Sequence, residues 1–112
     1  MKNSFLIIGC FALVLFSGTV RAQSCTGCTI TISGVETAPQ VIFGGQTLCI
    51  TSTGVLQGDL VVNQGSVCNE GTINSTAITM TNGTFTNYGT INSNGMIMAG
   101  GDFTNDGPAN ID

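Results

Sequence analysis

The chain has 112 residues, with six acidic side chains, two basic ones, no histidine and no tryptophan. That length supports one domain. Both basic residues, Lys2 and Arg21, lie at the start of the chain, so the rest of it is without a cation.

Residues 1–22, "MKNSFLIIGCFALVLFSGTVRA", combine Lys2, an apolar run over 5–16 and small residues leading to Val20, Arg21 and Ala22. This is the layout of a secretory signal peptide cleaved after Ala22. The apolar run of about 12 residues is short of the roughly 20 that span a bilayer. With the leader removed, residues 23–112 keep Glu36, Asp59, Glu70, Asp102, Asp106 and Asp112, and have no Lys, Arg or His. Nucleic-acid binding needs cations to neutralise phosphates and is excluded. Attachment to anionic lipid fails for the same reason, so no membrane contact is expected after cleavage. Histidine acid–base chemistry and lysine Schiff bases are likewise unavailable. No catalytic residue, cofactor site or metal site is assigned, and the chain reads as a secreted or cell-surface protein that is not an enzyme.

Residues 23–40 begin with "QSCTGCTITISG" and depart from the repeat pattern of the later residues. Four cysteines remain after the leader: Cys25, Cys28, Cys49 and Cys68. An even number in an exported chain points to disulfides. The C-x-x-C pair at Cys25 and Cys28 has no second such pair to complete a zinc site. Residues 23–40 are therefore expected to form a disulfide-tied N-terminal cap on the first repeat coil. Within residues 41–59, "TLC" matches "SVC" at a shift of 19, which places Cys49 and Cys68 as near neighbours on adjacent coils, within disulfide reach. Pairing of Cys25 or Cys28 with Cys49 is the alternative.

Repeats fill residues 41–112, and from about residue 60 the chain matches itself at a shift of 18. Gly65, Gly83 and Gly101 coincide, as do Gly71, Gly89 and Gly107. Asn69, Asn87 and Asn105 form one polar set and Asn74, Asn92 and Asn110 another. Val67 matches Phe85 and Phe103, and Leu60 and Val62 match Ile78 and Met80, then Met96 and Met98. Apolar residues alternate with Thr, Ser and Asn in strand fashion, and no stretch carries helical spacing. The period suits one coil of an all-β, single-stranded parallel β-helix. Coils stack at strand spacing, and asparagines one above another can form amide ladders. An apolar or β-branched residue also recurs every six positions at Val61, Val67, Ile73, Thr79, Phe85, Ile91, Ile97 and Phe103, the spacing of left-handed hexapeptide coils. The Leu60/Val62, Ile78/Met80 and Met96/Met98 pairs have the opposite parity, which favours a right-handed coil. Pro108 stands where Thr72 and Thr90 stand in earlier copies, and its missing N–H is expected to end the ladder. The variable slot between Asn and Gly, occupied by Glu70, Tyr88 and Asp106, is expected to face solvent and to contact a partner.

"SCTGCTITISG", "GGQTLCITSTGVLQGDL" and the N-x-G-T-I-N copies together resemble the N-terminal β-solenoid region of secreted, adhesin-like surface proteins of gliding-type bacteria. The resemblance covers nearly all of residues 23–112. It implies a surface or extracellular role and carries over no catalytic residue. The expected function is a structural or adhesive module whose partner is a surface glycan, a matrix, or its own copies joined at open coil ends. The alternatives are an ice-binding solenoid built on T-x-T pairs such as Thr84/Thr86, and a carbohydrate-binding or carbohydrate-active β-helix fragment.

Overall fold

The structure, a computed structural model, describes residues 25–111. The leader read over residues 1–22, together with Gln23, Ser24 and Asp112, lies outside the described residues. Among the described residues every regular element is a strand, and every strand pairing is parallel. The chain winds as a β-solenoid of about five coils whose strands fall on three faces.

The first face holds β3 (Gln40–Phe43), the first half of β6 (Leu60–Asn69), the first half of β8 (Ile78–Asn87) and β10 (Met96–Met98). The second holds β1 (Ile30–Ile32), β4 (Thr47–Ile50), the second halves of β6 and β8, and β11 (Asp102–Asn105). These two faces form one 7-stranded sheet, because β6 and β8 turn from one face to the other without a break. The third face is a 5-stranded sheet of β2 (Val35–Glu36), β5 (Val55–Leu56), β7 (Thr72–Ser75), β9 (Thr90–Ser93) and β12 (Ala109–Ile111). The solenoid thus begins at Ile30, inside the segment expected to be a cap.

From β6 onward the register follows the 18-residue repeat: Leu60 lies beside Ile78, Val67 beside Phe85, and Asn69 beside Asn87. Phe85 in turn meets Phe103, and Ile91 meets Ala109. Cys49 pairs with Cys68 at the expected shift of 19. The six-residue pattern, by contrast, does not mark the interior. Val67, Ile73, Phe85 and Ile91 are buried, but Val61 and Thr79 are only half-buried and Ile97 is 66 % exposed. On the first face the buried residues are Leu60, Val62, Ile78 and Met80. Parity changes at the bend within β6 and β8, where Gln64 (φ 71°) and Gly83 (φ 105°) take left-handed backbone conformations. One residue out of the pleat there inverts which side chains point inward.

The interior is a set of stacked columns. Leu48, Val67, Phe85 and Phe103 form one, and the rings of Phe85 and Phe103 meet edge to face at 5.2 Å. Ile50 leads into Asn69, Asn87 and Asn105 in the next inward column. Asn69 and Asn87 are fully buried. The Nδ2 of Asn69 donates to Oδ1 of Asn87 at 2.8 Å, and Nδ2 of Asn87 donates to Oδ1 of Asn105 at 2.8 Å. The Oδ1 atoms of Asn69 and Asn87 also accept a corner N–H, from Gly71 at 3.0 Å and from Gly89 at 3.2 Å. The other asparagine set has a different environment. Asn74, Asn92 and Asn110 are exposed on the third face, with Nδ2 of Asn92 donating to Oδ1 of Asn74 at 3.0 Å. Buried Ser75 and Ser93 close the opposite corner, Ser75 donating to the Gly58 carbonyl at 2.6 Å and Ser93 to that of Gly95 at 2.9 Å.

At the corner after the second face the coils approach so closely that only glycine fits. A Cβ on Gly89 would fall on the Gly71 carbonyl oxygen, and one on Gly107 on that of Gly89. Pro108 does not end the ladder. Its carbonyl accepts from Ile91 N–H at 3.0 Å, and Ala109–Ile111 remain paired with β9. In the preceding copy, Thr90 N–H donates to the Gly71 carbonyl. Proline lacks that donor, and at the equivalent Gly89 carbonyl the Asn87 amide donates at 3.1 Å.

Two predictions separate these roles. Asn87→Ala removes the middle rung and leaves buried partners unmet, at a cost of about 3 kcal/mol and more than ~10 °C in melting temperature, whereas Asn92→Ala on the exposed ladder costs under ~1 kcal/mol. Gly89→Ala is expected to cost about 2–3 kcal/mol by overpacking. Thermal and denaturant melts of the three variants check both, and equal losses at Asn87 and Asn92 would contradict the burial difference.

Candidate functional site: the strapped outer face

Outward positions alternate with the buried columns, so the second face carries two outer columns. One runs through Thr47, Ser66, Thr84 and Asp102, and the other through Thr31, Cys49, Cys68, Thr86 and Thr104. The hydroxyls couple between coils, with Thr84 Oγ1 donating to Ser66 Oγ at 3.0 Å.

Residues 25–28 lie across this face, held by the disulfides Cys25–Cys68 and Cys28–Cys49, whose Cα atoms are 5.7 and 5.6 Å apart. The expected Cys49–Cys68 link is therefore not made, although the two residues are register partners. Each bonds to the N-terminal segment, and the alternative pairing of Cys28 with Cys49 is the one observed. Strands β4 and β6 are already held together by their backbone ladder. The two cross-links hold instead a segment that has no strand of its own. They close nested loops spanning 21 and 43 residues, which removes roughly 3–4 kcal/mol of unfolded-chain entropy each. Rather than capping the stack end, the cystines form a strap on its side. Cys49 is 2 % exposed despite its outward parity because the strap covers it.

Of the variable slot residues, Tyr88 is 43 % exposed, Asp106 is exposed and Glu70 is half-buried. All three are stacked by backbone bonds: Glu70 N–H to the Ile50 carbonyl, Tyr88 to Asn69 and Asp106 to Asn87, each at 2.8 Å. Tyr88 stands at the rim of a shallow groove of about 240 Å³ floored by Thr84, Thr86 and Ser66 and walled by Cys25 and Thr26 of the strap. The groove joins the predicted contact residue to hydroxyls that the repeat pattern alone does not group with it. Their alignment depends on the 19-residue offset between β4 and β6 as well as the 18-residue one between β6 and β8. A second shallow trough on the third face is lined by Asn74, Asn92 and Asn110 with Thr76 and Asn94.

The T-x-T pairs do not form one array. Thr84/Thr86 belong to the second face, and Thr79 and Thr81 follow the first. The Thr84/Thr86 columns continue into Ser66/Cys68 on one side and Asp102/Thr104 on the other. Asp102 and Asp106 are both exposed, and among the described residues no group of three or more His, Cys, Asp or Glu side chains could hold a metal ion. Comparison with protein-family models, curated proteins and solved structures finds no match for this chain.

Peptide mapping of the oxidised protein is expected to yield Cys25–Cys68 and Cys28–Cys49, and a Cys49–Cys68 peptide would contradict the strap. The double variant Cys25→Ser/Cys68→Ser is expected to lose about 3–4 kcal/mol of stability while keeping its strand spectrum.

Proposed function

We propose that residues 23–112 form a secreted structural or adhesive module of a bacterial cell surface or extracellular matrix, acting by contact and not by catalysis. The observation that carries this is the outer surface of the solenoid. Hydroxyls and amides of Thr47, Ser66, Thr84, Asn74 and Asn92 are stacked from coil to coil on two faces, with no cation among residues 23–112. Such rows present hydrogen-bond donors and acceptors at a fixed repeat to an extended partner. The two disulfides are consistent with an extracellular location, and the leader read over residues 1–22 supplies the route.

Self-association is a second mode, favoured by apolar side chains that the first face exposes, Val41, Phe43 and Ile97. Ice binding is the less favoured alternative, because the flat hydroxyl columns are interrupted by Cys68, Asp102 and the strap.

Expression of the full chain with a C-terminal tag in a bacterial host tests the reading. The expected result is a mature N-terminus at Gln23 and retention of the protein at the cell surface or in the matrix. An uncleaved intracellular chain, or quantitative release into the medium with no retention, overturns it. Purified mature protein is expected to show no thermal hysteresis, and to sediment faster as its concentration rises.

A further inference from the structure

We propose that the groove beside Tyr88 on the second face is a binding site for a neutral saccharide chain, with Tyr88 as its stacking platform. This rests on the adhesive reading and names the ligand class and the site.

The chemistry of the groove sets the class. Tyr88, 43 % exposed, lines the groove with an aromatic side chain, in a position where the backbone is fixed by the bond from its N–H to the Asn69 carbonyl at 2.8 Å. The floor is hydroxyl: Thr84, Thr86 and Ser66, with the Thr84–Ser66 hydrogen bond running along the stack. A ring that is apolar on one face and rimmed with hydroxyls on its edge matches this combination, placing C–H groups on the tyrosine and hydroxyls against the threonines. A purely apolar ligand would leave the threonine hydroxyls unmatched. Charge excludes acidic sugars, because residues 23–112 hold no cation, Asp102 continues the Ser66–Thr84 column, and Asp106 occupies the slot next to Tyr88.

Shape gives the mode. The groove, at about 240 Å³, lies below the ~300–1,000 Å³ of pockets that enclose small molecules. It suits one or two sugar units of a longer chain lying on the face. The strap contributes the far wall, and Cys25–Cys68 fixes that wall to the same coil as Ser66. A preformed wall lowers the ordering cost of binding.

Tyr88 is the one tyrosine and the chain has no tryptophan. Intrinsic fluorescence of the oxidised mature protein therefore reports on Tyr88 alone. The probes are insoluble cellulose and chitin in pull-downs and their soluble oligosaccharides in titrations, with alginate as the anionic control. The expected result is retention on a neutral polysaccharide, a saturable change in Tyr88 fluorescence with its oligosaccharide, and no effect of alginate. Tyr88→Ala is expected to weaken binding about ten-fold with an unchanged melting temperature, while Tyr88→Trp binds as the parent does. Thr84→Val, a second variant in the floor, is expected to weaken binding by a similar factor, so the site stays testable if one variant folds poorly. Retention that persists in both Tyr88→Ala and Thr84→Val overturns the site and leaves the adhesive reading standing. The saccharide proposal also falls if the exported protein is held at the cell surface but no neutral polysaccharide moves the tyrosine signal. Failure of the adhesive reading itself is seen separately, in the export and retention experiment.

Discussion

A parallel stack meets its backbone hydrogen-bonding needs only through the coils above and below. Every coil must therefore reproduce the frame of its neighbour. The other regularities come from that constraint. A corner that brings two carbonyl-bearing turns into contact has to be glycine in every copy, as at Gly71, Gly89 and Gly107. A polar side chain inside the stack is tolerated only where it finds partners, the next asparagine and a corner glycine N–H for Asn69 and Asn87, a backbone carbonyl for Ser75 and Ser93. Apolar columns can vary in size, and Val67 stacks on Phe85, because contact area demands volume and not identity.

The corner after the second face shows how the frame is kept when the sequence departs from it. Between Ile50 and Val55 the chain makes a four-residue turn closed by Gly54 N–H to the Thr51 carbonyl at 2.8 Å, and the inward position before it is an isoleucine. Between Asn69 and Thr72 the corner has only two residues, too few for that internal bond, and the asparagine Oδ1 receives the Gly71 N–H instead. The longer turn explains why β4 and β6 are offset by 19 residues while β5 and β7 are offset by 17. Asparagine enters the interior column where the corner shortens.

Much of this is legible in the repeat. The glycine and asparagine identities, the strand alternation and the 18- and 19-residue shifts are enough to place the stacked columns. The repeat cannot distinguish the two asparagine sets, since both recur at the same interval. Their separation into a buried and an exposed ladder depends on pleat parity relative to a corner. The same limit applies to the six-residue pattern, which holds on two faces and inverts on the first because of one left-handed residue per bend, Gln64 or Gly83. Cysteine pairing is open for a different reason. Register alone favours Cys49 with Cys68, and the path of residues 25–28 across the outer face is set by no periodicity. The hydroxyl groove joins residues from three coils and the strap, so the sequence marks Tyr88 and the Thr84/Thr86 pair separately but does not bring them together.

The buried asparagine ladder also has a direction. In both described links the amide donates toward the later coil, and the glycine N–H groups that occupy Oδ1 fix that orientation. The side-chain dipoles thus align along the axis and polarise one another. Reversing one amide would set its Nδ2 against a glycine N–H, donor to donor, so the rungs of the ladder hold one common orientation.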